Sequence, residues 1–400
     1  MKKSFLILSV ALAVFAISSC EDPNPADPED PGTEQPEDPD DPGTEEPDEP
    51  TIEVTDLNAS NPETANCYMV TKEGRYCFNA TVMGNGDEGL MESFDAKATA
   101  ITPTKAVLVW DYPTGHITDV ELQDGKLYFT CGRGDGNAVL AATDDAGTVL
   151  WSWHIWCTVE PGLVSVDYSY APNEDTGYEG ESGTWEVMDR NLGAFINSVP
   201  EDAYGLYYQW GRKDPFTQWL TDQSLANCHK LAGSADAQDP ANTIEYSIAN
   251  PSTFLIGYQY GADADQRSWL YSADAEGQYK YNELWGNNCV YACYPPKTIY
   301  DPCPAGYRLA TCEFYNFCRN NPDLSSWNMV DGAQQVYGDM VLPIAGFLDY
   351  SMNWMTTDSS VWTDSSAWGG NDKSFRTWNN DATDQTGRGR AFPVRCMKDK

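Results

Sequence analysis

Histidine is the scarcest chemically useful residue here: the 400-residue chain holds only His116, His154 and His229. A Ser-His-Asp triad or a three-histidine zinc centre therefore has almost nothing to draw on. No Gly-x-Ser-x-Gly elbow, P-loop or dinucleotide fingerprint occurs, which removes the signatures of α/β-hydrolases, P-loop NTPases and Rossmann dehydrogenases. No Cys-x-x-Cys pair is present, and Cys289 and Cys293 lack a second pair, so the ligand spacing of a structural zinc is missing too. Positive charge is also short. Against 24 Lys and Arg stand 61 Asp and Glu, a formal net charge of −37. Such a surface repels nucleic acid and anionic lipid headgroups, and is compatible with calcium or cationic partners.

Long apolar runs are confined to one place. Met1-Lys2-Lys3 and the apolar stretch Phe5 to Ile17 are too short for a membrane-spanning helix and have the proportions of a secretory signal. The run closes on Ile17-Ser18-Ser19-Cys20, which looks like a bacterial lipoprotein cleavage box, with Cys20 as the lipidated residue. Residues 21–50 then carry fourteen acidic groups, no Lys or Arg, and recurrent proline. Proline fixes φ and removes donors while like charges repel, so this tract is expected to be an extended tether. At roughly 3 Å per residue it reaches up to about 90 Å. Glu21 and Asp22 directly after Cys20 resemble a Bacteroidetes surface-export signal. That implies an outer-membrane lipoprotein held by its acyl anchor and facing outward; a periplasm-facing one is the alternative.

What remains is too long for one ordinary core, so two domains are expected, 51–165 and 175–400. In the first, Asn66 to Ala80 reads as a hairpin turning at Lys72–Gly74. The runs Ala106–Trp110, Val120–Cys131, Asn137–Thr143 and Val149–Cys157 read as short strands. Strong turn signals at Gly132–Gly136 and Asp144–Gly147 separate the last three. Short strands with little helical pattern argue for an all-β antiparallel sandwich. Arg133-Gly134-Asp135 spells an adhesion tripeptide, but a turn needs such residues in any case. Within Trp151-Ser-Trp-His-Ile-Trp156, alternation puts Trp151, Trp153 and Ile155 on one face and His154 and Trp156 on the other. His154 is accordingly read as a hydrogen-bonded core or interdomain residue rather than a catalytic one.

The second region opens on Trp185 to Asp214, a block of aromatics beside Asp189, Arg190, Arg212 and Asp214. These residues predict a packing core with paired charges. Leu220–Ala232 reads as a short helix. Thr311 is a fair N-cap, with Glu313 in the first turn of a helix that stops by Asn321-Pro322. The tail alternates strands at Met340–Leu348, Ser360–Thr363, Ser374–Trp378 and Phe392–Met397 with loops, which makes this region α+β.

Six pieces stand in order: Trp185–Ala194, Tyr207–Arg212, Asp301–Leu309, Leu342–Gly346, Val361–Asp364 and Phe392–Cys396. Together they resemble the Fibrobacter succinogenes major paralogous (FISUMP) domain of secreted and lipid-anchored bacterial surface proteins. Ala65–Val70 and Leu150–Trp156 resemble the module that often precedes it. The resemblance implies a C-type-lectin-like fold whose terminal strands pair, and a Cys303–Cys396 disulfide closing about ninety residues, worth about 4 kcal/mol in the loop-entropy model. Lipidated Cys20 set aside, eleven cysteines remain, so at least one is free or pairs with another chain.

No catalytic residues or metal ligands stand out. Trp faces flanked by Asn and Asp suit a sugar, which needs an apolar platform for its CH groups and planar acceptors for its hydroxyls. The tail offers Asn353, Trp354, Trp368, Asn371, Asn379 and Asp381 as the ligand set, with Trp362 and Trp378 better read as core. No cofactor is expected. Asn321-Pro-Asp323 and Trp378–Asp381 are imperfect echoes of lectin calcium motifs and leave calcium as the one candidate. The expected function is a surface binding or adhesion module, non-enzymatic, whose partner is a host or bacterial surface glycan or protein. The alternative is a structural or accessory tip subunit of a fimbria-like assembly.

Overall fold

A computed structural model describes residues 53–59, 64–84, 100–172, 179–197, 200–217, 230–233, 239–257, 268–271, 284–285, 297–321, 328–330, 333–337, 340–350, 352–355, 360–366, 371–376 and 381–399. The signal, Cys20 and the acidic tether lie outside the described residues. Ile52–Lys400 forms one compact unit. Among the described residues it is α+β and sheet-rich, and the helices are short.

Eight strands come first: β1 (Val54–Asp56), β2 (Cys67–Val70), β3 (Gly74–Asn79), β4 (Lys105–Tyr112), β5 (Ile117–Gln123), β6 (Lys126–Cys131), β7 (Gly136–Thr143) and β8 (Val149–Cys157). They form two four-stranded sheets, ordered β1-β3-β6-β5 and β2-β8-β7-β4. Their inner faces meet through aromatics: Phe78 of β3 lies 4.4 Å from Tyr68 of β2 and 5.2 Å from Trp153 of β8, ring to ring. The pairing is mixed, since β1 runs parallel to β3 and β2 parallel to β8. This corrects the hairpin expected at Asn66–Ala80, for β2 and β3 belong to different sheets and Lys72–Gly74 crosses between them. The reason is burial. A hairpin with one wet face alternates, whereas Cys67, Tyr68 and Val70 are all buried, as suits a strand covered on both sides.

The second half comprises β9 (Leu163–Tyr170), β10 (Glu181–Met188), α1 (Pro200–Ala203), β11 (Tyr207–Gln209), β12 (Lys230–Ala232), α2 (Ile244–Ala249), β13 (Thr253–Leu255), β14 (Tyr307–Leu309), α3 (Cys312–Asn320), β15 (Asn328–Val330), β16 (Ala333–Tyr337), β17 (Met340–Pro343), β18 (Phe347–Leu348), β19 (Trp354–Met355), β20 (Ser360–Ser366), β21 (Asn371–Arg376), β22 (Asp381–Gly387), β23 (Ala391–Pro393) and β24 (Cys396–Lys398). Among the described residues these strands form two four-stranded sheets, β14-β24-β10-β9 and β11-β23-β18-β19, and three smaller ones. The helix expected at Leu220–Ala232 lies mostly outside the described residues, and its last three residues are strand β12. Helix α3 starts where its cap predicts, with Thr311 Oγ1 accepting from the Phe314 amide at 3.1 Å.

One hydrophobic core draws on both halves, and β8 explains how. All residues from Trp151 to Cys157 are buried, yet its two faces serve different partners. Trp153 points into the sandwich against Phe78. Ser152, His154 and Trp156 reach the second half. Ser152 Oγ donates to Asp214 at 2.7 Å, His154 Nδ1 lies 3.4 Å from the Tyr208 hydroxyl, and Trp156 Nε1 donates to the Ala194 carbonyl at 3.0 Å. Truncating one of these indoles to Ala would cost about 3–5 kcal/mol.

The aromatic block at 185–214 is a packing core in which Arg212 is held by Gln209 Oε1 at 3.0 Å and the Thr253 carbonyl at 2.7 Å, and Asp189, Arg190 and Asp214 are ion-paired. Asp189 pairs with Arg190 at 2.8 Å and Asp214 with Lys213 at 2.8 Å. Arg395 is wholly buried and grips Asn191 Oδ1 at 2.8 and 2.9 Å and the Met188 carbonyl at 3.1 Å. Cys303 and Cys396 form a disulfide, Cα to Cα 5.9 Å. Buried Asp301 holds that loop by accepting from the amides of Cys303 (2.8 Å) and Leu309 (3.0 Å). β10 and β24 pair at Val187↔Met397.

Candidate functional site

The hairpin β18–β19 edges the sheet β11-β23-β18-β19 and pairs Phe347 with Met355 and Leu348 with Trp354. Its turn is built by Asp349, whose carboxylate accepts from the Asn353 amide at 2.9 Å and lies 3.2–3.3 Å from Asn353 Nδ2. The Asp349 amide donates to the Asn353 carbonyl at 2.9 Å. At the other end Gly346 sits at φ +68°, and a Cβ there would lie 2.2 Å from the Met355 carbonyl and 2.8 Å from Trp354 Nε1. Only glycine lets the two chains close this tightly.

This frame fixes an exposed platform. Trp354 is 38% exposed and Met355 37% exposed. The Trp354 indole N–H donates to the Ala345 carbonyl at 3.1 Å, so the ring is pinned at one edge with part of its surface open. Tyr204 lies 6.2 Å away, ring to ring, and Asn353 is exposed beside it. Beneath, Tyr207 donates to the same Ala345 carbonyl. The arrangement offers an apolar surface next to a carboxamide whose position is set by the Asp349 turn.

Of the residues expected to form the ligand set, Asn353 and Trp354 are adjacent on this hairpin. Trp368 and Asn379 lie outside the described residues, and Asn371 and Asp381 begin β21 and β22 with only their backbone described. Trp362 is core, donating to the Tyr208 carbonyl at 2.7 Å and packed edge-on to Phe392. Trp378 and Asp323, named in the core and calcium expectations, also lie outside the described residues. Sequence reasoning passed over Asp349, Tyr204 and Met355. The signal for Asp349 is general, since Asp favours turns by accepting from nearby backbone amides; Tyr204 comes from a distant segment with no local mark.

Two further polar clusters are buried. Lys213 Nζ donates to Asp214 (2.8 Å), to the Ser152 carbonyl (3.1 Å) and to Ser152 Oγ, and lies 4.5 Å from the Trp151 ring centre. Burial lowers the Lys213 pKa from its ordinary value. A Ser-Lys-Asp set can do acyl transfer only where substrate reaches it. Ser152, Lys213 and Asp214 are each at most 3% exposed, so here they pin β8 to the second half. The other cluster is His116, Cys131 and Cys157, the one group of potential metal donors that lie together among the described residues. Cys131 Sγ is 3.1 Å from Cys157 Sγ and 3.6 Å from His116 Nε2. Two thiolates on one tetrahedral zinc, each at about 2.3 Å, stand about 3.8 Å apart, and a structural zinc takes four protein ligands; here the sulfurs are closer than that and the cluster supplies three donors.

Comparison with protein-family models, with curated proteins and with solved structures gives no match.

Proposed function

We propose that this chain is a surface recognition module that binds a glycan, with the Asn353–Trp354–Met355 hairpin edge and Tyr204 as its contact surface. The observation that carries this is the pinned, half-open Trp354 beside an exposed Asn353. A sugar ring stacks its CH face on an indole while its hydroxyls take planar amide partners. An indole already fixed by its N–H loses little entropy on binding. The protein is non-enzymatic in this reading. It is an outer-membrane lipoprotein held by lipidated Cys20 and facing the cell exterior. The Cys303–Cys396 disulfide supports export, because such bonds persist in oxidising compartments.

The finer fold assignment belongs to the same proposal. The second half is C-type-lectin-like and FISUMP-related. Support comes from the β10–β24 pairing, the disulfide on the last strand, and the passage of β14 directly into α3. A glycan array probed with the protein, in calcium and then in chelator, tests the function. Reproducible binding lost in Trp354→Ala and weakened in Asn353→Ala supports it. A blank array with folded protein overturns it and favours the assembly role. For that role, β4 is the relevant element. Among the described residues it pairs only with β7, and Val107 and Leu108 on it are each 37% exposed, as in an edge strand able to accept another chain.

A further inference from the structure

We propose that Cys131 and Cys157 are a redox pair that closes into a disulfide joining the two sheets of the sandwich, with His116 placed to take the proton of the Cys131 thiol. Cys131 ends β6 in one sheet and Cys157 ends β8 in the other. Their sulfurs are 3.1 Å apart. A bond of about 2.05 Å therefore needs about 1 Å of side-chain movement. Both are free thiols in the form described.

The surroundings are shaped for the thiolate. His116 Nε2 lies 3.6 Å from Cys131 Sγ, and the His116 carbonyl accepts from the Gly132 amide at 2.8 Å. Gly136 makes room for the ring, since a Cβ there would lie 2.4 Å from His116 Cδ2. Hydrogen bonds from Cys157 and His116 lower the Cys131 pKa, and the Cys157 pKa is raised, chiefly by its bond to Cys131. Cys131 is thus the thiol that reacts first. It also stands two residues before the exposed turn Arg133–Asp135, while Gly136, just after that turn, pairs with Cys157. The bond would close the root of this turn.

The oxidant is a disulfide, carried by a protein or a small molecule. Cys131 is 2% exposed, so the oxidant reaches it only when the adjoining Arg133–Asp135 turn opens locally. The Cys131 thiolate then attacks one of the oxidant's sulfurs, its S–S bond breaks, one sulfur leaves as a thiolate, and a mixed disulfide remains on Cys131. Cys157, deprotonated in turn, attacks Cys131 Sγ and expels the second sulfur. The two cysteines lose two electrons and two protons, and the oxidant becomes two thiols.

The test equilibrates the full chain in graded mixtures of reduced and oxidised glutathione, blocks free thiols with iodoacetamide, and maps peptides by mass spectrometry. A Cys131–Cys157 crosslinked peptide is expected to build up as the buffer becomes oxidising, with Cys303–Cys396 as the internal reference. Thermal unfolding of the wild type should rise on oxidation, and that rise should vanish in Cys131→Ala and in Cys157→Ala. The wild-type map alone decides if those variants do not fold. Both thiols alkylated in a buffer that keeps Cys303–Cys396 closed would overturn the proposal. So would either cysteine bonding elsewhere, or one equivalent of zinc bound with both thiols protected.

Discussion

Lowering the pH from 7 to 4.5 should remove stability that the buried, neutral His154 contributes. It is wholly buried on β8, with Nε2 2.9 Å from Asn137 Oδ1 and Nδ1 3.4 Å from the Tyr208 hydroxyl. Asn137 Nδ2 donates to the Gly193 carbonyl at 2.9 Å, which turns its oxygen toward the ring and makes Nε2 the protonated nitrogen of a neutral imidazole. Burial without a nearby anion depresses its pKa from 6.5 to about 3. The folded state therefore stays neutral while the unfolded chain takes a proton. The resulting stability is fully present above the unfolded value of 6.5, and is lost progressively as pH falls toward about 3. Between pH 7 and 4.5 the loss amounts to about 2.5 kcal/mol. The assay is urea unfolding of wild type and His154→Gln at both pH values. Glutamine keeps a donor for Asn137 but cannot titrate, and the carboxylates common to both proteins cancel in the double difference. A variant as pH-sensitive as the wild type would refute the buried neutral imidazole.

Two further perturbations bear on the frame of the second half. Cys303→Ser opens a loop of 93 residues in sequence separation, which costs about 4–5 kcal/mol by loop entropy; it should lower the thermal midpoint markedly, and an unchanged midpoint would mean that Asp301 and the buried Arg395 hold the loop unaided. Gly346→Ala forces a left-handed residue and a Cβ 2.2 Å from the Met355 carbonyl, so it should destabilise by about 1–3 kcal/mol and shift Trp354 fluorescence, and a silent substitution would show that the hairpin is loose.

Local pattern made much of the fold legible, and its failures have one physical cause. The β7 and β8 strands are bounded by Gly132–Gly136 and Asp144–Gly147, and α3 by Thr311; each signal acts within a few residues of what it specifies. Pairing is different. Cys67–Val70 and Gly74–Asn79 look like two arms of a hairpin because a turn separates them, yet β2 finds its partner in β8, register Cys67↔His154. Nothing near residue 67 encodes that choice except the burial of consecutive side chains, which argues against a hairpin with a wet face. The same distance hides the chemistry. Cys131 and Cys157 each close a strand, and the sequence shows only two isolated cysteines; the two sheets must stack before 3.1 Å between their sulfurs exists. Tyr204 likewise reaches Trp354 only through the fold. The adjacency of Asn353 and Trp354 on one hairpin is local, a carboxamide beside an aromatic at the end of a turn, and needs no long-range pairing to be read. Side chains brought together by one hairpin can thus be grouped from sequence, whereas those brought together across sheets can be grouped only when strand pairing is known.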